Sequence, residues 1–248
     1  MPCRTPSALA AGALLATLAS HSFAQAAREP QHVAPPTVGW PTNGGDWYNR
    51  RYSPLAQIDR SNVAKLKGVW RARLAGSGVG PQYSGEAQPL VVDGIVYIST
   101  GANDVFAISV DTGTTSWDYH ANLDPDNKSV CCSWTNRGVA AGGGKIFIGQ
   151  LNGKLVALDA KNGKTAWSTQ AEKPQDGFTL TAAPLYYNGL VIVGFAGAEL
   201  GVRGRVKAFD ARDGKLVWTF YTIPGRAHRA RRRRSRRSRG RCSTAARP

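Results

Sequence analysis

The chain has 248 residues, of which 42% are hydrophobic, enough for one substantial domain. Its formal charge of +16 does not describe a basic domain. Residues 226–248 contain 11 arginines and no acidic residue, and without them the balance falls to +5. No apolar run after the N-terminal leader approaches the roughly 20 residues of a membrane span, which excludes an integral membrane protein of helical type.

Residues 1–26 read as a secretory signal peptide. Arg4 gives the positive start, a short apolar stretch follows, and Ser22-Phe23-Ala24 or Ala24-Gln25-Ala26 supplies small residues for cleavage. The mature chain is therefore expected outside the cytoplasm, with Cys131, Cys132 and Cys242 after Cys3 departs with the leader. Residues 39–74 are rich in aromatic side chains: Trp40, Trp47, Tyr48, Tyr52 and Trp70. Asp59 or Ser61 is placed to cap a short helical turn, and 69–74 alternate like a strand. Residues 74–88 read as a loop.

From Pro89 the chain repeats. Ala107-Ile-Ser-Val-Asp-Thr-Gly113-Thr-Thr-Ser-Trp117 recurs as Ala157-Leu-Asp-Ala-Lys-Asn-Gly163-Lys-Thr-Ala-Trp167. It recurs again as Ala208-Phe-Asp-Ala-Arg-Asp-Gly214-Lys-Leu-Val-Trp218. Hairpin signals accompany the copies: 90–92 and 95–98 around Asp93-Gly94, 145–149 and 154–158 around Asn152-Gly153, and 185–187 and 190–193 around Asn188-Gly189. A period near 50 built of four short antiparallel strands predicts β-propeller blades, each tryptophan lying between neighbouring blades. The third period carries an insertion at 196–204 between its second and third strands, which places Glu199 on a loop of one face.

Between the first two copies stands Cys131-Cys132. Adjacent Cα atoms are about 3.8 Å apart across a trans peptide, against roughly 4.4–6.8 Å in ordinary disulfides. A bridge here would close almost no loop and would add little stability, so the residues leave two readings open: a strained functional disulfide, or two neighbouring thiols.

The eleven-residue tryptophan repeat, Cys131-Cys132 followed by Asn136-Arg137-Gly138, and Gly197-Ala198-Glu199-Leu200-Gly201-Val202-Arg203-Gly204 together resemble the quinoprotein alcohol dehydrogenases. These are periplasmic methanol and ethanol dehydrogenases that use pyrroloquinoline quinone (PQQ). Arg51-Tyr52-Ser53-Pro54-Leu55 is similar to that family's opening, and the resemblance covers about residues 40–224. It implies an all-β, eight-bladed propeller, truncated here to about three to four blades over 27–224. It also implies that Cys131 and Cys132 form the vicinal disulfide against the cofactor. Glu86, Arg137, Thr181, Gly197 and Ala198 become cofactor-binding residues, with Glu199 a metal ligand. Ala196 stands where the family often has serine. The implied cofactors are PQQ and Ca²⁺, with a lanthanide as the other hard cation. The implied reaction is oxidation of a small primary alcohol to an aldehyde, with electrons passed to a periplasmic cytochrome c. The family's aspartate base lies in a later blade, beyond this sequence, so no catalytic residue is assigned and the chain as written is expected to be inactive alone. Its last repeat strand, which bears Trp218, is expected to present an unpaired edge and an apolar face.

Residues 225–248 contain no Leu, Ile, Val or aromatic residue, and so build no core. They read as an arginine-rich disordered tail, and a frame change in mid-repeat is the reading that accounts for the abrupt switch in composition. Two further readings stay open: a non-enzymatic scaffold propeller, and nucleic-acid binding through the arginines. The signal peptide argues against the second, and no nucleic-acid partner is expected.

Overall fold

The computed structural model describes residues 32–75, 85–127 and 133–225. The leader, the cysteine pair and the arginine-rich segment lie outside the described residues. Twelve strands form three four-stranded antiparallel sheets. The first is β1 (Leu90–Val92), β2 (Ile95–Ser99), β3 (Val105–Ser109) and β4 (Thr115–Tyr119). The second is β5 (Ala140–Gly142), β6 (Lys145–Gly149), β7 (Lys154–Asp159) and β8 (Thr165–Gln170). The third is β9 (Leu185–Tyr187), β10 (Leu190–Gly194), β11 (Arg205–Asp210) and β12 (Leu216–Tyr221). Strand order in each sheet follows the sequence, as expected of propeller blades. No helix among the described residues is long and apolar enough to cross a membrane.

The repeat has a local cause. Ala107, Ala157 and Ala208 are fully buried and stand directly across the strand pair from Trp117, Trp167 and Trp218. A small residue opposite a large ring leaves that ring room to lie against the sheet. The register shifts immediately after each alanine, so every copy carries the same irregularity. The turn that follows holds Gly113, Gly163 or Gly214 at a φ of 70°, 70° or 73°. A tryptophan from the preceding unit covers that glycine. Trp117 donates its indole N–H to Ala160 O (3.0 Å), Trp167 to Ala211 O (3.0 Å), and Trp70 to Val110 O (2.6 Å). A Cβ on any of the three glycines would meet the ring of the tryptophan above it, so only glycine serves.

Apolar side chains fill the two spaces between sheets. Tyr97, Trp117 and Val139 pack with Ile146, Ile148 and Leu158 between the first and second. Phe147, Leu155 and Ala157 pack with Leu180, Val191 and Phe209 between the second and third. Glu172 adds an ionic contact to the second interface. Its Oε1 lies 2.7 Å from Lys207 Nζ and 3.1 Å from an Arg205 nitrogen, with all three side chains largely buried. Both cations crowd one oxygen without hydrogen-bond alignment, so the attraction is electrostatic. The outer strand β12 leaves Leu216, Val217, Trp218 and Phe220 exposed.

Two expectations need correction. Residues 69–74 form no strand; Trp70 docks the segment on the first sheet through its bond to Val110 O. The helical turn is the 3₁₀ turn Val63–Lys65 with Asn62 at its N-cap position, while Asp59 instead accepts from the Ser61 N–H and hydroxyl. The expected hairpin of 145–149 and 154–158 around Asn152-Gly153 is present as β6 and β7, the second and third strands of their sheet; the sheet opens with β5, whose Ala-Ala-Gly sequence carries no β-branched or aromatic signal.

Candidate cofactor site

Three short segments lead into the innermost strands β1, β5 and β9, and hydrogen bonds join them. Gln88 pairs with Gly138 in a parallel bridge, its N–H donating to Arg137 O (3.3 Å). The Arg137 N–H donates to Thr181 O (3.0 Å). Gly138 has a φ of 127°, and a Cβ there would stand 2.7 Å from Asn43 Oδ1 and 3.0 Å from Gln88 O. The segments close up this tightly only because the residue is glycine. The Arg137 side chain emerges half-exposed, and its guanidinium pairs with Glu86 Oε2 at 2.8 Å. Glu86, Arg137 and Thr181 are thus brought together.

The same segment reaches the insertion. Thr179 and Ala196 exchange backbone hydrogen bonds of 3.3 and 2.9 Å, and the buried Thr179 hydroxyl donates to Leu151 O at 3.0 Å. Thr179 holds the insertion, and Thr181, two residues on, holds Arg137. Gly197, buried with a φ of 126°, packs against the Gly177 carbonyl and leads into the 3₁₀ turn Ala198–Leu200. Ala198 and Glu199 are exposed on that turn. Its far end is tied down by Arg203, which donates to Ile223 O (2.7 Å) and lies 3.8 Å from the centre of the Tyr221 ring. Cys131 and Cys132 lie outside the described residues.

Sequence reasoning gave no role to Asn136 or Ser99. Asn136 is wholly buried, and its carboxamide oxygen accepts from the Ser99 hydroxyl at 2.6 Å. Adjacency to Arg137 was the only signal, and it does not reveal burial. His120 was missed as well. It lies between Asp118 (2.7 Å) and Asp104 (3.4 Å), which face it from either side.

These residues fit a polyanionic quinone cofactor. Arg137 offers a forked cation on an open rim. The Thr135 hydroxyl, two residues before it, is buried without a hydrogen-bond partner among the described residues. The metal set is thinner. Among the described residues no group of three or more His, Cys, Asp or Glu side chains could hold an ion, and Glu199 stands exposed as a single carboxylate. Ca²⁺ takes about six to eight oxygens, so a site built on Glu199 would need ligands beyond it.

The family profile "PQQ: Glucose/ethanol/alcohol dehydrogenase, beta-propeller domain" matches residues 40–245. Quinohemoprotein alcohol dehydrogenase ADH IIB of Pseudomonas putida is 43% identical over 192 residues, covering 75% of this chain and 26% of its own length. The crystal structure of quinohemoprotein alcohol dehydrogenase from Comamonas testosteroni matches at 38% identity with a TM-score of 0.72, over 80% of this chain and 30% of that one. A europium-containing methanol dehydrogenase matches at 32% identity with a TM-score of 0.65, over 75% and 32%. The chain therefore spans about a quarter to a third of the length of these relatives. Sheets stacked through forward-reaching tryptophans, an arginine rim fed by three inner segments, and this profile match place the chain in the PQQ-dependent alcohol dehydrogenase family.

Proposed function

We propose that the chain contributes the Arg137 side of a PQQ-binding chamber in a periplasmic dehydrogenase. That enzyme oxidises primary alcohols to aldehydes and passes the electrons to a cytochrome c. The observation that carries the reading is the hydrogen-bonded run from Gln88 through Arg137 and Thr181 to Thr179 and Ala196. It joins two of the cofactor-binding residues that the resemblance implies, Arg137 and Thr181, and reaches Ala196, the residue before a third, Gly197.

Each residue has a task that its chemistry suits. Arg137 binds a cofactor carboxylate or quinone oxygen through its fork, and Glu86 orients that fork from the other side. The Thr181 hydroxyl donates to the cofactor. Gly197 and Ala198 offer backbone groups where a larger side chain would block approach. Cys131 and Cys132 would supply the vicinal disulfide that the family resemblance implies. Glu199 ligates Ca²⁺ or a lanthanide; a relative described as europium-containing makes the lanthanide a direct alternative. When bound, PQQ supplies the electrophilic carbonyl that takes two electrons from the alcohol.

The test is equilibrium dialysis of the purified chain against PQQ. The wild-type chain should retain PQQ, and Arg137→Ala should weaken retention about tenfold or more, the worth of a charge-assisted hydrogen bond. Glu199→Ala should leave metal-free PQQ retention unchanged and abolish its enhancement by Ca²⁺ or Eu³⁺. Non-reducing mass spectrometry after alkylation should find the cysteine pair ~2 Da lighter than two thiols. Failure of the wild type to bind PQQ, or equal retention by Arg137→Ala, overturns the reading.

A further inference from the structure

We infer that Asn136 is the positioning residue for Arg137: its carboxamide fixes the direction in which the guanidinium leaves the rim. The inference rests on the reading of Arg137 as a cofactor-binding cation.

The carboxamide spans three segments. Its Oδ1 accepts from Ser99 Oγ at 2.6 Å and from the Gly138 N–H at 3.0 Å, and its Nδ2 donates to Gly149 O at 2.9 Å. Ser99 closes β2 of the first sheet and Gly149 closes β6 of the second. The bond to Gly138 loops around Arg137, as an Asx turn does, and restricts the backbone torsions of the enclosed residue. Arg137 itself spends its N–H on Thr181 O and its carbonyl on the Gln88 N–H. Its backbone is therefore fixed from both sides, and its half-exposed side chain is paired with Glu86. A charged group positioned in this way loses little freedom on binding.

The chemistry requires an amide. Two donors converge on the oxygen and one acceptor faces the nitrogen, in a site with no solvent exposure. Asn136→Asp would set a carboxylate oxygen against the Gly149 carbonyl, and Asn136→Ala would leave the Gly149 carbonyl and the Ser99 hydroxyl without these partners. Gly149 is in turn pressed against Leu180, the residue before Thr181, so the amide also couples Arg137 to its other backbone partner.

The decisive experiment is a double-mutant cycle on the 248-residue chain, read by PQQ dialysis and by amide hydrogen exchange. Asn136→Ala should weaken PQQ retention about tenfold in the Arg137 chain and have no further effect in an Arg137→Ala background. The Arg137 and Gly138 amides should exchange at least about tenfold faster, while those of Ala107 and Phe209 in the sheet cores keep their rates. Ser99→Ala removes one bond and no backbone partner, and should give the same local pattern at smaller size. Equal losses in both backgrounds, or acceleration spread evenly through the cores, would reduce Asn136 to a general core polar group and overturn the inference. If no form of the chain binds PQQ, the cofactor reading falls, and the exchange pattern alone decides: local acceleration upholds the positioning of Arg137, uniform acceleration refutes it.

Discussion

Trp117 donates its indole N–H to the carbonyl of Ala160 at 3.0 Å, one sheet further along, and its ring lies over Gly163. The contact joins the outer strand of one sheet to the turn of the next. Large apolar area and a satisfied N–H meet at one point.

Gly163→Ala should therefore cost more than the same change at Gly189. Both glycines sit at positive φ, 70° and 76°, which costs roughly 1 kcal/mol for a residue with a Cβ. Gly189 has nothing within 4 Å of a would-be Cβ, whereas Gly163 would drive its Cβ into the Trp117 ring. Overpacking adds about 1–3 kcal/mol. Urea denaturation of the two variants should separate their midpoints in that order; equal midpoints would show that the ring yields freely.

Stability should fall as the pH rises above 6.5 because of His120. Desolvation pulls its pKa down, but the carboxylates of Asp104 and Asp118 more than offset this and hold it above the ordinary 6.5. Phe106 meets the ring edge-on and brings no charge. The folded state thus binds the proton more tightly than the unfolded chain. The stabilisation is complete below pH 6.5 and is lost as the pH climbs through the raised value. Melting temperatures measured by circular dichroism from about pH 5.5 to 8.5 should decline. His120→Gln should flatten that decline, and an unchanged slope in the variant would assign the effect to another group.

Glu172 balances two cations in a largely dry interface. Glu172→Ala should destabilise by about 3–5 kcal/mol, because Arg205 and Lys207 would face each other without a counter-charge. Lys207 would keep its bond to Ala171 O (2.7 Å), and Arg205 its place 4.2 Å over Phe178. Replacing Glu172 and Lys207 together by apolar residues should recover much of the loss. Chemical denaturation of the single and double variants measures both, and a double variant as unstable as the single would show that the cations are not the cause.

Much of this architecture was written in local patterns. The Ala-to-Trp spacing of ten residues encodes a cross-strand pair, and Asp93-Gly94 and Asn188-Gly189 mark tight turns at positive φ. Both follow from nearest-neighbour geometry, so sequence reveals them. β5 stayed hidden because Ala140-Ala141-Gly142 owes its strand to its neighbours rather than to propensity. Residues 69–74 showed the converse, a strand pattern that forms no strand. At the site, Arg137 and Glu86 were legible as charges in recognisable motifs. Asn136 was not, since its importance comes from Ser99 and Gly149, 37 and 13 residues away in sequence. Long-range burial leaves no mark on a polar residue's own neighbourhood.

The forward reach of the tryptophans sets a fixed rhythm for assembly. Each indole finds its receptor carbonyl 40 to 44 residues later, whether it starts from Trp70, Trp117 or Trp167. The separation does not grow as sheets are added, so relative contact order falls with every sheet. A chain emerging N-terminus first can lock each tryptophan as soon as the next turn appears, without waiting for distant partners. Folding then keeps pace with the chain's appearance, and only the newest sheet is ever left without its lock.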